Sequence, residues 1–206
     1  MLRARFLSLI LLAILVGFSS VANAQLFQRF YLGYGIGASS IDTNVAGTTG
    51  AARLDEDDTS QQIFAGLRVT NNLAVEFQLN DFGSATLTGN QGDEFIFGGD
   101  TIQVPADNSR AKASVDSYGI ALVGSAPVGP FVSLFGKLGV HQWEVDAELT
   151  TDGGDANFKQ DDTDFFYAGG LQIQPLPLLA LRLEAGRYEV DDFNVTTVGG
   201  SLLIRF

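Results

Sequence analysis

From residue 30 onward, apolar side chains return at every second position. Phe30, Leu32, Tyr34 and Ile36 alternate with Tyr31, Gly33, Gly35 and Gly37. Ile63, Ala65, Leu67 and Val69 alternate with Gln62, Phe64, Gly66 and Arg68, and Leu73, Val75, Phe77 and Leu79 with Ala74, Glu76, Gln78 and Asn80. The same beat runs through residues 118–122, 132–140, 165–173, 179–183 and 198–206. Successive side chains of a strand point to opposite faces, so the pattern predicts eight strands, each apolar on one face and small or polar on the other. An all-β chain follows.

Connection lengths narrow the choice. Residues 70–72 (TNN), 125–129 (SAPVG) and 175–178 (PLPL) are tight, with Asn, Gly and Pro making the turns. The other connections, near 40–60, 83–112, 144–163 and 189–194, are mostly long and hold most of the 24 carboxylates. One rim is therefore short and nearly neutral, the other long and anionic. Eight antiparallel up-and-down strands joined this way match a transmembrane β-barrel of outer-membrane type. A strand of about ten residues, at ~3.3 Å each and tilted ~40°, rises about 25 Å, the height of the apolar band. A soluble barrel would turn its apolar face inward around a ligand. Here the opposite face carries Gln62, Glu76, Lys137, Arg182 and Glu184, which suits a polar interior and a lipid-facing exterior.

The amino terminus supplies an export signal. Arg3 and Arg5 precede a charge-free stretch over residues 6–18 (FLSLILLAILVGF), and Ala22-Asn23-Ala24 forms a small-residue cleavage site. This predicts a signal peptide over residues 1–24 and a barrel domain over 25–206. Thirteen residues at 1.5 Å each reach about 20 Å, too short to span a bilayer as a helix. With no cysteine, disulfide scaffolds, thiol nucleophiles and iron–sulfur sites are excluded. A net charge of −12 argues against nucleic acid as a partner.

Counting back from Phe206, Ile204 and Leu202 hold alternate apolar positions. A terminal Phe closing an alternating strand resembles the assembly signal of bacterial outer-membrane barrels. Residues 31–38 (YLGYGIGA), 131–143 (FVSLFGKLGVHQW) and 182–193 (RLEAGRYEVDDF) are similar to the OmpA-like transmembrane domain family. The resemblance covers the chain beyond the leader. It implies insertion by the outer-membrane assembly machinery, contact with outer-membrane lipid and lipopolysaccharide, and a role in envelope integrity. Full-length OmpA-type proteins continue into a peptidoglycan-binding domain, whereas this sequence ends at Phe206, so cell-wall tethering is not carried over.

Five charged positions fall on the polar face: Arg68, Glu76, Lys137, Arg182 and Glu184. Lone charges in so narrow a lumen are costly, so an ion-pair network is expected, with Arg68 facing Glu76 across the turn at 70–72. The family resemblance adds weight, since OmpA-like barrels are blocked by such pairs. Gly33, Gly35 and Gly37 lie at period two with no helix after them, which speaks for room beside bulky neighbours rather than a nucleotide loop. His141, the sole histidine, would have to serve any His-based hydrolase, with Ser114 across a simple hairpin. No acidic partner is evident, and a structural His near Trp143 at the outer interface is the expectation, with no catalytic residues. Asp55-Glu56-Asp57-Asp58 and Asp161-Asp162-Thr163-Asp164 lack calcium-loop spacing and read as solvated loop charge, with no metal or cofactor expected. Trp143, Phe165, Tyr167 and Tyr188 are assigned to one aromatic girdle, Phe131 and Phe206 to the other. The reading is a structural barrel; a narrow low-conductance channel and a loop-mediated adhesin or resistance factor are the alternatives.

Overall fold

A computed structural model describes residues 29–42, 45–48, 53–55, 57–97, 100–103, 109–151, 154–191 and 193–206. The leader predicted over residues 1–24 lies outside them. In chain order the strands are β1 (Phe30–Asp42), β2 (Val45–Thr48), β3 (Arg53–Asp55), β4 (Asp57–Arg68), β5 (Leu73–Gly89), β6 (Glu94–Phe97), β7 (Asp100–Gln103), β8 (Ser109–Pro127), β9 (Val132–Thr151), β10 (Gly154–Leu176), β11 (Leu179–Val190) and β12 (Phe193–Arg205). Eight of them form the wall in the order β5-β4-β1-β12-β11-β10-β9-β8, and a β5–β8 pairing closes it. Every wall pairing is antiparallel between neighbours, and β1 meets β12 from Tyr31↔Arg205 to Asp42↔Asn194. Closure leaves no free edge, the condition for a sheet to cross lipid. The short β2, β6 and β7 form a separate three-stranded sheet, and β3 extends the β5 edge.

Burial is inverted relative to a water-soluble protein. Leu138 is 63% exposed, and Ile36, Leu122 and Leu183 are each 56% exposed, while Glu76, Lys137 and Arg182 on the wall's other face are 3% or less. The outward apolar rows end at Gln61, Asp81, Asp116, Gln142 and Thr196, which marks a band about ten residues tall.

Two expectations about the long connections are corrected. The β9–β10 ladder is continuous from Val132↔Ile173 to Thr151↔Gly154, so residues 144–163, expected as a loop, are mostly paired strand. Likewise β5 and β8 pair from Ser84↔Ser114 to Gly89↔Ser109, beyond the band. Twenty paired residues at ~3.3 Å, tilted ~40°, rise about 50 Å, twice the height of the apolar band. The wall therefore continues well above it.

The inner face is filled in two storeys. Within the band, Tyr31, Phe64, Ala74, Val123, Phe135, Ala180 and Leu203 surround the buried charges. Above it, Ile41, Phe82, Val115, Trp143, Phe166, Tyr188, Val190 and Val195 form an apolar core. The inward glycines make room for these rings. A Cβ on Gly33 would meet the Phe64 ring at 2.2 Å, and one on Gly66 the Tyr31 ring at 2.0 Å. Each glycine is the cross-strand neighbour of its ring, Gly33↔Phe64 and Tyr31↔Gly66.

Candidate functional site

The charged cluster sits at mid-band, where three strands deliver four side chains. Glu76 comes from β5, Lys137 from β9, and Arg182 and Glu184 from β11 two residues apart, hence on one face. Lys137 Nζ lies 2.5 Å from Glu76 Oε1 and 2.8 Å from Glu184 Oε2. Arg182 NH1 donates to Glu76 Oε2 at 2.9 Å and stands 4.0 Å from Glu184 Oε2. Tyr31 donates its hydroxyl to the same Glu76 oxygen at 2.7 Å, and Arg182 NH2 donates to Gln172 at 3.3 Å. Rings close the remaining sides. Arg182 stacks over Phe64 at 4.9 Å and Phe135 at 4.6 Å, and Lys137 over Phe64 at 5.0 Å. Charges buried this deeply are tolerated only when paired and hydrogen-bonded, and two carboxylates here meet two cations.

Arg68 is not part of this cluster. The turn at 70–72 pairs Arg68 with Ala74 and Gly66 with Glu76, so Arg68 points toward the short-turn end while Glu76 reaches across the lumen. Tyr31, Phe64, Phe135 and Gln172 take places that the charge pattern had not assigned; their inward phase was readable from alternation with Gly33, Gln62, Lys137 and Gln174.

The upper storey corrects the readings of His141, Trp143 and Tyr188. All three are 1% exposed and face inward, not toward an outer girdle. His141 packs edge-on against Phe166 and Tyr188, at 5.7 and 5.4 Å, and its Nε2 lies 2.8 Å from the Glu189 carbonyl. Phe166 and Tyr188 stack at 5.0 Å. Gln78 and Gln62 donate to the Tyr188 hydroxyl at 3.2 and 3.4 Å. Ser114 is paired with Asp146, and His141 with Gly119. The reason is local: Pro127 stays in the strand opposite Ser133, which centres the turn later than 125–129 implies and shifts the partner of Ser114 by five, from His141 to Asp146. Ser114 and His141 are therefore not brought together.

Members of the acidic runs also have structural places. Asp58 accepts from Thr59 N at 2.7 Å, Ser84 N at 2.8 Å and Ser84 Oγ at 3.1 Å. It thereby clasps a bulge between Asp81 and Ser84, where Gly83 takes φ +78°. Asp164 accepts from Trp143 Nε1 at 2.8 Å and Asp191 N at 3.1 Å. Glu56 lies outside the described residues, and among those described no group of three or more acidic or histidine side chains is placed to hold a metal ion. Of the assigned girdle residues, Phe165, Tyr167, Phe131 and Phe206 do face outward, at half exposure or more. Leu202 and Ile204 of the terminal strand also face outward, at 46% and 47% exposure.

Closed topology, an apolar exterior and a polar, packed lumen agree with the sequence comparison. The chain belongs to the outer membrane protein beta-barrel domain family, whose model matches residues 9–206. It is a bacterial outer-membrane barrel. Among curated proteins it is similar to the attachment invasion locus protein of Yersinia enterocolitica, 27% identical over 130 residues. That match takes in 61% of this chain and 66% of the relative, just under two thirds of the latter's length. Solved structures that share the fold include the following three. OprG of Pseudomonas aeruginosa superposes with a TM-score of 0.57 at 13% identity, covering 86% of this chain and 97% of that one. Ail of Yersinia pestis, in complex with the heparin analogue sucrose octasulfate, gives 0.51 at 16% identity, covering 86% and 99%. The N-terminal barrel domain of Pseudomonas aeruginosa OprF gives 0.51 at 9%, covering 86% and 98%. Short turns in this family face the periplasm, and the long hairpins face outward.

Proposed function

We propose that this protein is a plugged, non-enzymatic structural barrel that contributes to envelope integrity and presents acidic hairpins at the cell surface. The observation that carries this is the Glu76–Lys137–Arg182–Glu184 cluster, which crosses the lumen at mid-band beneath a second, aromatic filling. Eight strands enclose an interior that side chains alone can fill, so bulk solute diffusion is not part of the role. Its partners are outer-membrane lipid, the lipopolysaccharide of the outer leaflet and the machinery that inserts barrels. Planar-bilayer recording of the unmodified protein should show no stable unitary conductance. A deletion strain should lose resistance to detergent and to bulky antibiotics. Steady single-channel steps from the wild-type barrel would instead assign a narrow channel.

A second reading is loop-mediated attachment. It is favoured by the name of the curated relative, and by the β9–β10 hairpin, which stands clear of the band and carries Phe158 at 68% exposure. A polyanion such as the one bound to Ail is a poor fit to outer connections this rich in carboxylate. Excision of residues 147–158 should abolish host-cell binding while leaving detergent resistance intact if attachment is the function.

A further inference from the structure

The periplasmic mouth of the lumen carries more positive charge than the lumen neutralises. Lys137, Arg182, Arg68 and Arg205 all face inward over the lower half, and among the described residues Glu76 and Glu184 are the acidic side chains that face them there. Lys137 and Arg182 take up both carboxylates. The short turns at 69–72, 128–131 and 177–178 contain no Asp or Glu. Arg68 and Arg205 are thus left at the mouth with no ion pair among the described residues.

Their geometry is that of a receptor. A cavity of about 40 Å³ is lined by Arg68, Arg182 and Arg205, with Tyr31, Asn71 and Gln172 beside them. Arg182 is 3% exposed, yet its Nε finds no acceptor in the protein, and the buried Nε of Arg205 finds none either. Both guanidiniums are fixed from one side: Arg205 NH1 donates to Gln174, and Arg182 to Gln172 and Glu76. Donors held in place by one edge, with the other edge unanswered, are preorganised for an anion. A halide meets one donor at a time, whereas a tetrahedral oxyanion offers several acceptors to planar forks converging from three strands.

We infer that the periplasmic mouth binds a phosphate-class oxyanion between Arg68, Arg182 and Arg205. The anion offsets the surplus charge and satisfies the buried Nε donors beneath the plug. The same chemistry is offered by free phosphate in the periplasm and by the headgroup of an anionic phospholipid in the inner leaflet.

The test uses the full barrel refolded in a non-ionic maltoside micelle at constant ionic strength. Inorganic phosphate and, separately, dihexanoylphosphatidylglycerol are titrated while ³¹P line width and urea midpoint are followed. Saturable binding is expected, weakened about tenfold or more by Arg68→Gln/Arg205→Gln, because each lost guanidinium removes charge-assisted hydrogen bonds. Arg110→Gln, at the opposite end, should leave it unchanged. Retention of the folded gel band before boiling certifies the variants, and Arg68→Gln alone replaces the double variant if that one does not refold. Binding of inorganic phosphate assigns a soluble ligand; binding of the lipid alone assigns a headgroup. No saturable binding of either, or binding undiminished in the arginine variants, overturns the inference.

Discussion

On β9, Leu138 points outward and is 63% exposed, whereas Trp143, five residues on, points inward and is 1% exposed. An odd separation along a strand puts two side chains on opposite faces. Both are apolar, so the solvent outside the wall must change between them, from lipid to water. The inversion is written along β9. Leu134, Leu138 and Val140 are apolar and outward, while beyond them Gln142, Glu144 and Asp146 are outward and Trp143 and Val145 inward. The barrel has a membrane storey that is apolar outside and a surface storey that is apolar inside.

Trp143 is the sole tryptophan, so intrinsic fluorescence reports on this one site. Its emission should be blue-shifted and weakly quenched by acrylamide, because the indole is enclosed and donates to Asp164. Brominated lipid chains should quench it little, since the wall stands between. Strong quenching by bromolipid would return Trp143 to the lipid face.

How much of this was legible follows from what each signal measures. Period two reports which way a side chain faces relative to its strand neighbours, so the inward set of Glu76, Lys137, Arg182 and Glu184 could be read directly. Register depends instead on where a turn is centred. Pro127 remaining in the β8–β9 ladder moved Ser114 from His141 to Asp146, and nothing in the alternation reports that. The surface storey is hidden in the sequence for another reason. Its stretch Trp143-Glu144-Val145-Asp146-Ala147 alternates as regularly as the membrane strands but with opposite phase, and a search for outward apolar rows takes it for an acidic loop.

Removing one member of the mid-band cluster leaves a partner without its counter-charge. Lys137→Ala deprives Glu184 of its contact at 2.8 Å, leaving Arg182 at 4.0 Å. Breaking a buried pair in this way costs about 3–5 kcal/mol. Lys137→Ala and Glu184→Ala should each lower the urea midpoint and raise single-channel conductance above the wild-type baseline. Unchanged midpoints with unchanged conductance in both would remove the cluster's role as a plug.

Gly66 matters for space rather than for backbone freedom. A methyl group there would stand 2.0 Å from the Tyr31 ring, whose hydroxyl donates to Glu76. Gly66→Ala should force that ring aside and cost about 1–3 kcal/mol in overpacking. Pairing it with Tyr31→Ala should recover part of the packing loss, measurable as non-additive urea midpoints.

The clasp at Asp58 makes a prediction about acid. The Thr59 amide, and then the Ser84 amide and hydroxyl, hold its carboxyl below the usual carboxylate range, outside the membrane band. A folded-state pKa below the unfolded value of 3.8 means the ionised form stabilises the fold. That contribution is fully present above about pH 4 and fades as pH falls through the folded pKa. Asp58→Asn should flatten this acid limb, read as urea midpoint against pH, and leave the midpoint slightly lower at neutral pH. Parallel profiles for the two proteins below about pH 4 would show that Asp58 carries no such linkage.

The terminal strand separates assembly from stability. Phe206 closes the wall through its amide, which donates to the Phe30 carbonyl at 3.0 Å, while its side chain faces outward at 51% exposure beside Ile204 and Leu202. Fully burying a Phe contributes about 1.5–3 kcal/mol, and a closed ladder of eight strands should survive a fraction of that. If the outward row Leu202, Ile204 and Phe206 is what the insertion machinery reads, then deleting Phe206 acts before folding. Surface levels in cells should fall about tenfold or more, the factor that 1.4 kcal/mol of lost recognition gives. The same truncated chain, refolded in detergent micelles, should keep its heat-dependent gel mobility and nearly its full urea midpoint. Equal losses in cells and in micelles would make Phe206 a packing residue, and normal surface levels would exclude it from recognition.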